Sequence, residues 1–198
     1  MQRRSNARLD MFVFLMAAAL LGVLFGTLVC CYASDDTQRS LGLINDDFLS
    51  SRLSSGLGPM ILKSFGTGAL FMAAVFLLGL CALGQPFTVL VLVCRAVGIG
   101  AAAASVFSAY GKEGLRVFSF LLLPESAAGL MILILAARES ISMSGIVFKT
   151  LTGSTTDRQL CDITKLYSVK MLVLLSCTGA AALLQSVITI IYKMIFAV

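Results

Sequence analysis

FTVLVLVCRAVGIGAAAASVFSAY, residues 87–110, is an apolar run with one ionised side chain, Arg95, near its middle. A helix needs about 20 such residues to cross a bilayer. An arginine at the centre of a spanning helix costs roughly 2.5–3.5 kcal/mol on insertion scales. That cost is met where the guanidinium snorkels to the surface, faces other helices or lines a wet cavity. The run therefore predicts an integral membrane protein in which each rare polar group needs a partner.

Composition points the same way. Of the 198 residues, 59% are hydrophobic and 13% charged, and the mean hydropathy is +0.97. Soluble domains are about 45–50% apolar and about 25% charged. A single domain, residues 1–198, is the expectation for this length. The net charge of +5 is spread over the ends of apolar runs, not gathered in a patch with aromatics, which argues against nucleic acid as a partner. Lipid is the expected surrounding. With no histidine and no Cys-x-x-Cys spacing, no metal and no cofactor is expected. Cys30, Cys31, Cys81, Cys94, Cys161 and Cys177 read as small packing residues.

Working outward, five spans are predicted: 11–32, 60–83, 87–109, 115–137 and 167–196. The first follows Arg3, Arg4 and Arg8 and is too long for the apolar core of a signal peptide, so it reads as retained. Gly84-Gln85-Pro86 breaks the chain between the second and third, because proline lacks an amide donor and disfavours helix in the residue before it. Gly111 to Gly114 reads as a turn. Pro124 interrupts the fourth segment, and 124–148 is an alternative placement of that span. The fold class expected is thus an all-α polytopic bundle of about five transmembrane helices, the fourth segment broken at proline.

Charge bias sets the orientation. The segment 34–58 carries Asp35, Asp36, Asp46 and Asp47, whereas 138–166 and its flank carry Arg138, Lys149, Arg158, Lys165 and Lys170. Basic loops stay cytoplasmic, so the first is expected outside and the second inside, with the N-terminus in the cytoplasm and the C-terminus extracytoplasmic. Tyr32, Tyr110, Tyr167 and Tyr192 fall at predicted span ends, where amphipathic rings prefer to lie. Within the outer loop, Leu41, Ile44, Phe48 and Leu49 recur at three- and four-residue steps, as on an amphipathic helix. That face suits either a membrane surface or an extracytoplasmic partner. Ser154 followed by Asp157 resembles a helix start leading into the last span.

Small residues recur every four positions: Ala18, Gly22 and Gly26; Ala96, Gly100, Ala104 and Ser108; Ser176 and Ala180. Such stripes let helices approach closely within a bundle, and they also serve self-association into a homo-oligomer. Arg95 and Glu125 form the candidate intramembrane polar pair, between the third and fourth helices. They either neutralise one another or form a gate or partner site. Glu125 and Glu139 are fourteen residues apart, within about 40° on one helix face and about 21 Å along it. Two-carboxylate hydrolysis needs about 5–9.5 Å. With no nucleophile–histidine pair and no phosphate loop either, no enzyme activity is expected.

Gly22-Val23-Leu24-Phe25-Gly26, Leu78-Gly79-Leu80, Gly84-Gln85-Pro86, Arg95 with Gly98 and Gly100, and Leu122-Leu123-Pro124-Glu125 occur in an order and spacing that resemble the stage II sporulation protein M family. The resemblance covers nearly the whole chain. It departs at Glu125, where an amide-like or variable residue is expected. It implies a non-enzymatic scaffold that anchors or localises two peptidoglycan-remodelling hydrolases, stage II sporulation proteins D and P, during forespore engulfment. The competing expectation, drawn from a broken helix with midplane charges, is a permease or transporter subunit with a polar site between helices three and four.

Overall fold

The computed structural model describes the backbone of residues 2–32, 57–117, 123–151 and 157–196, and side chains over a narrower set within them. Five helices lie in these segments: α1 (Gln2–Tyr32), α2 (Leu57–Leu80), α3 (Gly84–Val117), α4 (Leu123–Leu151) and α5 (Asp157–Phe196). Four are long and apolar enough to cross a membrane, over Asp10–Tyr32, Gly84–Ser108, Leu123–Thr150 and Asp162–Thr189. The apolar part of α2 within the described residues, Phe65–Leu80, is shorter. The amphipathic outer-loop face of Leu41, Ile44, Phe48 and Leu49 lies outside the described residues, as does Ser154.

The expected break at Pro86 is present. Helix α2 stops at Leu80, residues 81–83 turn, and Pro86 occupies the first turn of α3, where a missing amide costs nothing. Gly84 is required here, because a Cβ would collide with the Leu78 carbonyl. Two expectations need correction downstream. The chain does not turn over 111–114: α3 continues to Val117, since an interior glycine costs a helix only about 1 kcal/mol. Pro124 does separate two helical pieces, but the piece before it belongs to α3, and Pro124 sits in the first turn of α4. The fourth span is therefore the alternative placement, and the linker expected over 138–166 is largely helical, α4 running to Leu151 and α5 starting at Asp157.

Side-chain contacts fix the directions. Gly22 abuts Val93 and Ala96, while Gly26 abuts Val97, so α1 and α3 run parallel. Ser140 reaches Val75 and Ser144 reaches Cys81, so α2 and α4 run parallel. Gly68 faces Thr178 and Gly79 faces Tyr167, so α5 opposes α2. Thr88 meets Ser140 and Gln85 nears Gly145, so α3 opposes α4. Helices α1, α3 and α5 thus point one way and α2 and α4 the other.

The core is centred on α4, which contributes Leu133, Ile134, Ala136, Ala137 and Met143 to a cluster with Leu15, Val75, Leu92 and Ala96. Burial on α3 repeats every four residues through Gly84, Thr88, Leu92, Ala96, Gly100 and Ala104. This stripe meets Gly22 and Gly26 on α1, the small-on-small packing expected of membrane helices. The third expected stripe behaves differently: Ser176 and Ala180 of α5 are exposed. Outward-facing side chains such as Phe14, Leu21, Phe25, Leu70, Leu77, Leu172 and Leu184 are large, apolar and exposed. A continuous surface of that kind needs lipid around it.

Candidate functional site

Thr88, Ser140, Ser144 and Tyr167 gather at the end of the bundle where α2 turns into α3, while Gln185, Ser186 and Thr189 are buried further along α5. Ser140 and Ser144 are one helical step apart on α4, so both face the same neighbours. Ser140 is fully buried and donates to the Val75 carbonyl at 2.9 Å. The Thr88 hydroxyl lies 3.2 Å from Ser140 Oγ and 2.8 Å from the Gly84 carbonyl. Ser144, also fully buried, donates to the Cys81 carbonyl at 2.8 Å, with the Ala82 carbonyl at 3.2 Å. The Cys81 carbonyl also accepts the Gly84 amide at 3.1 Å, so Ser144 pins an already hydrogen-bonded turn to α4.

Tyr167 joins this knot from α5. It is buried, its hydroxyl donates to the Phe76 carbonyl at 3.2 Å, and its ring stacks on Phe76 with centroids 5.4 Å apart. Tyr167 lies five residues inside the Asp162 end of its apolar segment, and its ring turns into the bundle. The ring finds an apolar neighbour and a carbonyl inside the bundle, and satisfies both halves of its chemistry there. Gly79 makes the approach possible, because a Cβ would collide with the Tyr167 hydroxyl. Tyr32, by contrast, is exposed at the end of α1.

Beside the knot, Lys170 Nζ of α5 lies 2.7 Å from Glu139 Oε2 of α4. Together with Ser142, Met143, Ile146, Ile163, Leu166 and Tyr167 they line a cleft of about 90 Å³. That volume suits a few waters, not an organic solute. Arg95 lies elsewhere. Its guanidinium sits 5.1 Å from the centre of the Phe71 ring, a cation–π contact, with Glu125 within electrostatic range. Counted from the Thr88–Ser140 contact, Arg95 and Glu125 are offset by eight residues along antiparallel helices, about 12 Å of rise. Their attraction therefore acts between long side chains reaching across levels.

Of the residues expected at a site, Gly22, Gly26 and Gly100 come together on the α1–α3 seam, and Ala104 is buried further along the same stripe of α3. Gly100 also accepts a hydrogen bond from Thr27 Oγ1 at 3.4 Å. Pro86 and Pro124 each open a helix. The hydroxyl knot and the Glu139–Lys170 pair were not anticipated, and Lys170 was read as an orienting charge flanking a loop. The available signal was Ser140-x-x-x-Ser144 directly following Arg138-Glu139, a polar pattern at helical spacing where a loop was expected. Among the described residues, no group of three or more His, Cys, Asp or Glu is placed to hold a metal.

Residues 11–190 match the family model described as Stage II sporulation protein M. The chain belongs to the stage II sporulation protein M family. The family match runs from the first crossing segment through the α1–α3 seam, the hydroxyl knot and the Glu139–Lys170 pair to the end of the last apolar segment. It makes this a sporulation-related membrane protein. No curated protein and no solved structure matches the chain.

Proposed function

We propose that this member of the stage II sporulation protein M family is a non-enzymatic membrane scaffold that anchors or localises peptidoglycan-remodelling hydrolases, the stage II sporulation proteins D and P, during forespore engulfment. The observation that carries the reading is how the buried hydroxyls are spent. Ser140, Ser144 and Tyr167 bond to main-chain carbonyls of α2 and the turn after it, and the Thr88 hydroxyl of α3 lies against Ser140, so that α2, α3, α4 and α5 are held in register. Groups committed in this way stiffen a frame and leave no activated nucleophile. The frame crosses the bilayer five times, with the N-terminus cytoplasmic and the C-terminus extracytoplasmic; the alternating helix directions support this. Affinity capture of the tagged protein from sporulating cells is expected to recover both hydrolases, and engulfment is expected to stall in a deletion strain. Capture of neither, with normal engulfment, ends the scaffold reading. A reporter fused after Val198 is expected to be active only outside the cytoplasm.

A second reading, a permease subunit, draws on Arg95 within the α3 span and its attraction to Glu125. Solute uptake that depends on the protein and is lost in both Arg95→Ala and Glu125→Gln would favour it over the scaffold.

A further inference from the structure

Arg138 of α4 is a cation that the fold leaves unmatched. It is half-buried, and among the described residues it makes no hydrogen bond, ion pair or ring contact. Its neighbour Glu139 is already neutralised by Lys170 at 2.7 Å. Ser142, one helical step beyond Arg138 on the same face, is exposed and likewise makes no hydrogen bond among the described residues. The level of these groups in the bilayer follows from α5. Residues 171–192, between Lys170 and Lys193, carry no charge. As helix they rise about 33 Å, which matches a hydrocarbon core of about 30 Å. Lys170 therefore marks one edge of that core, and its contact with Glu139 brings Arg138 to the same edge.

Towards the membrane centre from Arg138, the same face of α4 is an open groove. Helix α1 packs on α3 and on one flank of α4, while α5 packs on the other flank and on α2. The two stand on either side of α4 without packing on each other. Ala127, Met131, Leu135, Arg138 and Ser142 fall within about 80° of one another round α4, on the side opposite the buried Ser140. Met131 and Leu135 are 46% and 38% exposed, against 66% for Leu21 of α1 and 69% for Leu172 of α5. The floor is thus recessed between two apolar ridges.

We propose that this groove holds one anionic phospholipid, with an acyl chain over Ala127, Met131 and Leu135 and its phosphate on the Arg138 guanidinium and the Ser142 hydroxyl. The chemistry selects the occupant. Every phospholipid presents a phosphodiester at the edge of the hydrocarbon core, where Arg138 lies. A guanidinium offers a phosphate two parallel N–H donors, and a hydroxyl adds a third. A partner helix would have to bring a carboxylate of its own to that level, and in a second copy of this chain Glu139 is already taken by Lys170. The charges select the headgroup. Arg138 and Lys170 against Glu139 leave one net positive charge, and Lys149, exposed two turns beyond Ser142 on the same face, adds another. That field repels the choline or ethanolamine cation of a zwitterionic lipid and accepts the uncharged glycerol of phosphatidylglycerol. The site stands independently of which enzymes the scaffold recruits.

Native mass spectrometry of the full chain, released from micelles containing equal amounts of dioleoyl phosphatidylglycerol and dioleoyl phosphatidylcholine, provides the test. The wild type is expected to emerge carrying one phosphatidylglycerol, favoured over phosphatidylcholine by about fivefold, the worth of one basic side chain near a lipid surface. Arg138→Gln is expected to bring that preference to within about twofold of parity. Lys165→Gln removes an equal charge from an exposed position about 140° round α5 from Lys170, and is expected to keep the preference. Leu135→Trp fills the groove without touching a charge and is expected to lose most of the bound lipid, which separates a lipid seated by its chain from an anion held by arginine alone. Circular dichroism melts matching wild type show that each variant is folded. A wild type that holds both lipids equally, an Arg138→Gln variant as selective as wild type, an equal loss in Lys165→Gln, a Leu135→Trp variant that keeps the lipid, or a wild type at twice the monomer mass with no lipid bound would each overturn the site.

Discussion

Ser144 of α4 donates a 2.8 Å hydrogen bond to the carbonyl of Cys81, in the turn between α2 and α3, so one side chain ties three helices together. The Cys81 carbonyl already accepts the Gly84 amide at 3.1 Å within the turn, and the serine adds a second donor from α4. Ser144→Ala removes it. Hydrogen bonds between membrane helices are worth about 0.6 kcal/mol on average and about 1.7 at most. A loss in that range is expected from denaturant unfolding in detergent micelles. A variant as stable as wild type would mean that the turn holds its shape without α4.

The α1–α3 seam offers a paired test on one helix. A Cβ at Gly100 would run into the Val23 carbonyl, whereas one at Gly98 meets nothing within 4 Å. Gly100→Ala is expected to destabilise by about 1–3 kcal/mol through overpacking. Gly98→Ala is expected to be neutral or to stabilise by up to about 1 kcal/mol through helix propensity. Equal effects at the two positions would contradict the close approach of α1 and α3.

Gly79 and Tyr167 are expected to couple. Gly79→Ala pushes a methyl group into the Tyr167 hydroxyl, and Tyr167→Phe removes that hydroxyl along with its bonds to the Phe76 and Val75 carbonyls. Each single change is destabilising. The double variant is expected to lose less than the sum, by at least about 0.5 kcal/mol, the lower limit typical of contacting residues. Strict additivity in a thermal unfolding cycle would place the ring elsewhere.

Arg95 rests on the Phe71 ring at 5.1 Å. Cation–π contacts are worth about 0.5–1 kcal/mol when exposed and about 2 when desolvated. A double-mutant cycle with Arg95→Met and Phe71→Leu is expected to return a coupling within those limits. Zero coupling would leave the cation held by Glu125 alone.

Much of the candidate site was hidden from sequence reading for a specific reason. Arg138 and Glu139 looked like the end of a span because ionised groups leave lipid where they have no partner. The partner, Lys170, is 31 positions away, and only the antiparallel packing of α4 on α5 brings it to 2.7 Å. The inward turn of the Tyr167 ring was hidden for the same reason: its carbonyl acceptors lie on α2, about 90 residues back in the chain.

The bilayer makes helix obligatory wherever backbone is long and apolar, so class and element order were readable from residues in a row: the apolar runs, the break before Pro86, the start at Pro124 and the small-residue stripes of α1 and α3. Which polar side chains are satisfied, and by whom, was not readable. That choice belongs to pairs such as Ser144 with Cys81 and Lys170 with Glu139, and it exists only once the helices have chosen neighbours and register. Hydropathy is a property of single residues and survives without context, whereas a hydrogen bond or an ion pair has two ends, and folding alone brings the second to the first.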